Sequence, residues 1–122
     1  MKIAIIIIFF LSLLSACYYD KEELLYNSNS SSCDSINNVS YAQHIAPILQ
    51  AQCSSCHSSS LASGGIVMGT FALDQKIALN GKLYGSITHS AGYSPMPQGT
   101  QKLSACQIAL IKKWIDSGAL NN

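Results

Sequence analysis

The feature that most limits how this chain can fold is the pentapeptide Cys53-Ser54-Ser55-Cys56-His57. The pattern C-x-x-C-H is the attachment signature of c-type haem, in which two thiols add to the vinyl groups and the adjacent histidine binds iron. The two intervening residues set the sulfurs at the separation of the vinyl groups and leave His57 beneath the iron. Five cysteines and three histidines in 122 residues make a chance match rare. The motif therefore predicts one covalent haem c.

Two other interpretations of the cysteine pair remain open. A C-x-x-C pair also forms redox disulfides, and it can supply half of a zinc site. Redox disulfides of this kind normally accompany a βαβ pattern, which this sequence lacks. The haem interpretation is favoured because the N-terminus indicates export to a compartment where c-type haem is attached.

The N-terminus has the pattern of a secretory signal. Lys2 precedes an apolar run over residues 3–14, which is shorter than the roughly 20 residues of a membrane-spanning helix. A cleaved signal peptide over residues 1–16 is therefore favoured over a helical anchor. Leu14-Ser15-Ala16-Cys17 resembles the lipobox of bacterial lipoproteins, whose cysteine is acylated and becomes the new N-terminus. We expect lipidated Cys17 to hold the exported protein on a cell-envelope membrane, facing the periplasm or the cell surface.

The remaining chain divides into a polar tether and one small domain. Residues 17–38 have no apolar period to bury, which is typical of a flexible tether. The domain is predicted over residues 39–122. Loss of Lys2 with the signal peptide leaves six basic and six acidic side chains, so the net charge is near zero. A nucleic-acid partner is not expected.

The domain has helical patterns and no convincing alternation of period two, so the predicted fold class is all-α. Ser40 and Ser104 are each followed three residues later by Gln, the arrangement of a capping box. We expect a first helix that Pro47 kinks or restarts, short helical pieces between residues 71 and 87, and a final helix ending at Gly118. The apolar stripe of the final helix is Ile108, Ile111, Trp114 and Ile115.

Residues from about 40 to 118 resemble class I monohaem cytochromes c. The shared features are a helix running into C-S-S-C-H, a methionine between prolines and a C-terminal amphipathic helix. The segments I-A-P-I-L, Y-S-P-M-P and K-K-W-I-D-S-G-A look like those of small cytochrome c lipoproteins of Bacteroidetes-type bacteria. The resemblance implies a small cytochrome c fold, with about three to four helices around a covalent haem that completes a small apolar core.

Met96 is the predicted sixth ligand of the haem iron, opposite His57. It lies between Pro95 and Pro97 in a polar loop where a core role is unsuitable. The rivals are Met68, expected to pack near the haem, and His89, which would give a lower potential than methionine. His44 is expected to be a surface or capping residue without a role in the site.

Iron bound by both His57 and Met96 has no open position for substrate. The expected function is therefore single-electron transfer with protein redox partners, without enzymatic activity. Two alternatives are an enzyme or gas sensor with an open sixth position, and a tethered module whose haem is structural. A small excess of lysine over acid in residues 34–122 suggests transient docking but identifies no partner.

Cys33 and Cys106 remain after lipid and haem account for the other three cysteines. In an oxidising compartment, two remaining cysteines are expected to form a disulfide. The alternative is that both are reduced and buried. The distance between their Cα atoms decides between the two.

Overall fold

The computed structural model of the protein describes residues 36–122. All regular elements in this span are helical and none is a β-strand, so the all-α prediction is confirmed for the described part of the chain. The predicted signal peptide, lipidated Cys17, Cys33 and most of the predicted tether lie outside the described residues. Ile36, which falls within the predicted tether, packs against the core.

The first helical stretch leads directly into the C-x-x-C-H motif. A π-helical segment, Tyr41–Ile45, continues into helix α1, Ala46–Gln52, and then into the short helix α2, Ser54–His57. Pro47 lies in the first turn of α1, where its missing amide leaves no hydrogen bond unmade. The predicted restart of the helix at Pro47 therefore occurs.

Ser40 caps the first stretch, but its partner differs from the predicted one. The Ser40 hydroxyl accepts from the Gln43 backbone N–H at 3.3 Å, as expected. The reciprocal bond is made by His44, whose Nδ1 accepts from the Ser40 backbone N–H at 3.0 Å. His44 is thus a capping residue of the first helix.

Three further helices complete the domain: α3, Phe71–Leu79; α4, Lys82–Ile87; and α5, Ala105–Asp116. A single 3₁₀ turn, Ser63–Gly65, lies between α2 and α3. Helix α5 begins with a complete capping box between Ser104 and Gln107. The predicted short pieces after residue 70 form one continuous helix, α3, followed by α4.

The core lies where the first helical stretch crosses α5. Ile45, Ile111 and Trp114 are fully buried, and the Tyr41 ring lies between Phe71 and Trp114, with ring centroids 5.0 and 5.5 Å away. The other end of the chain secures this crossing, because Asn122 accepts hydrogen bonds from the Tyr41 and Ala42 backbone amides. The N-terminal stretch that carries the motif is therefore fixed at its start.

Candidate functional site

The C-x-x-C-H motif occupies one helical turn. Cys53 ends α1, and its carbonyl oxygen accepts hydrogen bonds from the backbone amides of Cys56 at 3.2 Å and His57 at 3.0 Å. Cys53 is half-buried, Cys56 is exposed, and His57 is buried with 9% of its surface accessible. Both cysteines are free thiols. The two thiols and the imidazole are therefore all carried by one helical turn.

A single loop holds His57 at both its ring and its backbone. Its Nδ1 lies 3.3 Å from the Ile66 carbonyl oxygen, and its own carbonyl oxygen accepts from the Met68 amide at 2.7 Å. A carbonyl at Nδ1 favours the tautomer with the proton on that nitrogen, which leaves Nε2 with its lone pair. Within residues 36–122, Nε2 has no hydrogen-bond partner. Because every buried side-chain nitrogen or oxygen in that span has a partner, Nε2 must be accessible at the surface. It is therefore the nitrogen available to a ligand.

The Cys53 thiol is held in its protonated form. Burial, followed by the negative charge of Asp74, raises the pKa of Cys53 from 9.0 to about 11. Reactive C-x-x-C cysteines have the opposite property, because a lowered pKa supplies the thiolate that attacks disulfides or binds metal. In the metal-free protein, the surroundings of Cys53 therefore do not favour a reactive thiolate at this residue.

Met96 lies on a separate segment that is fixed to α4. Its backbone amide donates to the Ser86 carbonyl oxygen at 3.1 Å, and its carbonyl oxygen lies 3.1 Å from His89 Nε2. Its side chain is half-buried. The Tyr93 ring lies against Gly85, where a Cβ atom would come within 2.5 Å of the ring carbons. The loop is therefore packed onto α4 through Tyr93 and hydrogen-bonded to it through Met96.

The two rivals of Met96 have other surroundings. Met68 belongs to the buried core, with 7% of its surface accessible. His89 is exposed, and its Nε2 is engaged with the Met96 backbone carbonyl. These contacts give Met68 a packing role and give His89 a contact with the loop that carries Met96.

Cys106 lies half-buried in the first turn of α5 and is disulfide-bonded. Its partner is neither Cys53 nor Cys56, since both are free thiols. Cys33 lies outside the described residues, so its pairing with Cys106 stays a prediction.

Asp74 is a polar residue of this region that the sequence reasoning did not single out. Only 1% of its surface is accessible. Its Oδ2 accepts from the Tyr41 hydroxyl at 2.8 Å, and its Oδ1 accepts from the Gly69 amide at 3.0 Å. Burial, the hydrogen bond to Asp74 and the charge of Asp74 all raise the pKa of Tyr41. The sequence feature that could have identified Asp74 is its position as the single acidic residue in the mostly apolar segment Phe71–Leu79.

Two open grooves lie on the α4 and α5 side of the domain. Their volumes are about 500 and 340 Å³, and Tyr84 and Lys112 line both. None of Cys53, Cys56, His57 and Met96 lines either groove, so we do not assign these grooves to the site.

Within residues 36–122, no three side chains of His, Cys, Asp or Glu form a group that could hold a metal ion. No helix in the same span is both long and apolar enough to cross a membrane.

Comparison of the chain with protein-family models, curated proteins and solved structures finds no match.

Proposed function

We propose that the protein is an electron carrier with one covalent haem c, belonging to the small monohaem cytochromes c. Cys53 and Cys56 would hold the haem through thioethers, and His57 Nε2 and Met96 Sδ would be the axial ligands of its iron. The observation that carries the proposal is the C-x-x-C-H turn in which Ile66 occupies His57 Nδ1 and leaves Nε2 for a metal. Histidine ligands are commonly oriented in this way by a hydrogen bond at the other ring nitrogen.

The residues of the motif suit this role chemically. The thiols of Cys53 and Cys56 would hold haem by adding across its vinyl groups, sulfur to one carbon and hydrogen to the other, so nothing would leave and no oxidant would be required. The chain would also supply two ligands to the iron, from His57 and Met96. When bound, the iron supplies a reversible one-electron oxidation and reduction.

The placement of the two cysteines also suits an electron carrier. Cys56 is exposed, so a group attached there is joined at the surface of the protein, where a redox partner can approach. Most of the His57 side chain is buried, so its backbone and Nδ1 are held within the protein while Nε2 would be left to bind the iron. The partner proteins of such a carrier would dock transiently.

We further propose that the domain is exported and tethered to a cell-envelope membrane by lipid on Cys17. This proposal depends on the lipobox-like segment before Cys17 and on the apolar run that precedes it. The polar residues between Cys17 and Ile36 would give the domain reach from the membrane surface.

The electron-carrier proposal is tested by spectroscopy and redox titration of the purified, haem-loaded protein. We expect one reversible one-electron transition and, in the ferric form, the absorption band toward the red end of the visible spectrum that methionine coordination produces. A ferric protein that lacks this band and binds a small exogenous ligand at full occupancy would instead indicate an open sixth position and an enzyme or sensor.

A further inference from the structure

We infer that Asp74 positions His57 through the loop of residues 66–69 and is the fixed negative charge that lowers the reduction potential of an iron bound by His57. This inference rests on the proposed function. It concerns a residue outside the C-x-x-C-H motif and outside the Met96 loop, and its two parts can be measured separately.

The positioning part depends on an unbroken series of contacts. Asp74 Oδ1 accepts from the amide of Gly69, which fixes the C-terminal end of the loop to α3. At the preceding residue, the Met68 amide donates to the His57 carbonyl, and two residues earlier the Ile66 carbonyl lies against His57 Nδ1. A loop held in this way at Gly69 keeps the Ile66 carbonyl in place and therefore fixes the His57 ring.

The second oxygen of Asp74 ties this arrangement to the first helix. The Tyr41 hydroxyl donates to Oδ2, and the Tyr41 ring packs between Phe71 and Trp114 in the core. Asp74 thus connects the helical stretch that ends at His57, the loop that orients His57, and α3. No other buried carboxyl group lies within the described residues.

The electrostatic part depends on burial and on the nature of the donors. Both carboxylate oxygens of Asp74 accept hydrogen bonds, one from the Tyr41 hydroxyl and one from the Gly69 amide. Both donors are neutral, so they stabilise the charge without cancelling it. A charge in a buried environment acts over a longer range than one in water. Oxidation adds one positive charge at iron, and a nearby fixed negative charge therefore favours the oxidised form.

Backbone contacts place Asp74 close to the motif. Its Oδ1 accepts from the Gly69 amide, and the amide of the neighbouring residue, Met68, donates to the His57 carbonyl oxygen. The carboxylate is therefore joined to the His57 backbone through two consecutive loop residues.

The test of the electrostatic part compares Asp74→Asn with Asp116→Asn in the haem-loaded protein. Asn keeps the shape of Asp74 and an oxygen for the Gly69 amide, while its NH₂ can donate to the Tyr41 oxygen, so chiefly the charge is lost. Asp116 is an exposed carboxylate paired with Lys112, which makes Asp116→Asn the matched control for loss of one charge. At fixed solution potential, Asp74→Asn should lower the ferric-to-ferrous ratio about tenfold, which is equivalent to a rise of about 59 mV in the reduction potential.

Two results would overturn the electrostatic part. One is a shift in Asp74→Asn no larger than that in Asp116→Asn. The other is a rise in reduction potential in Tyr41→Phe as large as that in Asp74→Asn. Tyr41→Phe keeps the Asp74 charge and removes one hydrogen-bond donor, so packing rather than charge would then explain the shift. The expected result is that Tyr41→Phe does not raise the potential.

The positioning part has a readout that does not require haem. Hydrogen exchange of the Gly69 and Met68 amides is measured in the full chain, with and without haem. Asp74→Ala should accelerate exchange at both amides at least tenfold, whereas Asp116→Ala should leave them unchanged. Unchanged exchange in Asp74→Ala would overturn the positioning role. If the wild-type chain takes up no haem, the proposed function fails while this measurement still decides the role of Asp74 in the loop.

Discussion

His57 and Met96 are each held by hydrogen bonds in a way that suits their proposed role as iron ligands. His57 is buried and held at Nδ1 by the Ile66 carbonyl, which fixes the orientation of the ring and therefore the direction of the Nε2 lone pair. Met96 is half-buried and held only through its backbone, which leaves its thioether without a hydrogen bond to break. Of the two proposed axial ligands, Met96 is the one whose assignment a substitution can test without loss of the motif.

Replacement of Met96 by His should lower the midpoint potential of the haem-loaded protein. Imidazole stabilises ferric iron more than a thioether does, and axial ligands set potentials over a range of about 0.8 V, so a shift on the order of 0.1 V is expected. The measurement is a redox titration followed by absorbance. Met68→Leu is the control, because it conserves volume in the core and should change the potential little. An unmoved potential in Met96→His would transfer the ligand role to another residue, with His89 the next to test.

The raised pKa of Cys53 makes a prediction for the haem-free protein. The folded thiol has a pKa of about 11 against an ordinary value of 9.0, so the unfolded chain releases its proton first as pH rises. The unfolded state then binds fewer protons than the native state, and the free energy of unfolding should fall between pH 9 and 11. Tyr41 should also lower the free energy of unfolding at alkaline pH, because burial and then its hydrogen bond to Asp74 raise the pKa of its hydroxyl.

The share of Cys53 is isolated by comparison with Cys53→Ala. Denaturant unfolding at several alkaline pH values should show a shallower fall in the variant than in the parent chain. Identical slopes for the two proteins would mean that the surroundings of Cys53 do not raise the pKa of its thiol.

At the scale of elements, local patterns predicted the helices at each end of the domain well. The Ser104 capping box and the stripe that includes Ile111 and Trp114 form α5 as expected, because both depend on neighbours within one or two turns. The role of Asp74 depends on Tyr41 and Gly69, which come together only in the folded domain. For the same reason, the sequence could not show that Tyr93 lies on Gly85.

Gly85→Ala tests how α4 holds the Met96 loop. The added Cβ would come within 2.5 Å of the Tyr93 ring, so the ring must move away from α4. We expect a loss of about 1–3 kcal/mol in the free energy of unfolding, as for other overpacked positions. Denaturant unfolding of Gly85→Ala, Tyr93→Ala and the double variant forms a cycle. The double variant should lose less than the sum of the two single losses, and strict additivity would contradict the contact.

At the scale of the whole molecule, the described domain is a small helical unit whose two ends meet. Asn122 bonds to the start of the first helical stretch, and α5 packs on that same stretch. Both the motif and its supporting loop therefore depend on a single core around Trp114. The amino-acid pattern predicted the helices, but not the contact of Asn122 with residues 39–42, because both the side chain and the backbone of Asn122 bond to backbone groups that are about 80 residues away in sequence.

Cys17→Ala should release the protein from membranes, since the proposed anchor is the acyl group on that sulfur. The measurement is the fraction that sediments with membranes after a salt wash. Substitution of Ser15 by Ala in the same segment is the control, because it leaves the acylated sulfur in place. A Cys17→Ala protein that still sediments would contradict the lipoprotein proposal.

Covalent attachment of haem to Cys53 and Cys56 is tested directly by intact-mass spectrometry of the protein after denaturation. Expressed with a c-type haem attachment system, the chain should retain the mass of one haem. Cys53→Ala/Cys56→Ala should lose that added mass, whereas Ser55→Ala, a change at an exposed spacer of the same motif, should keep it. A wild-type chain without added mass, or a double variant that still carries it, would contradict covalent attachment at these two cysteines.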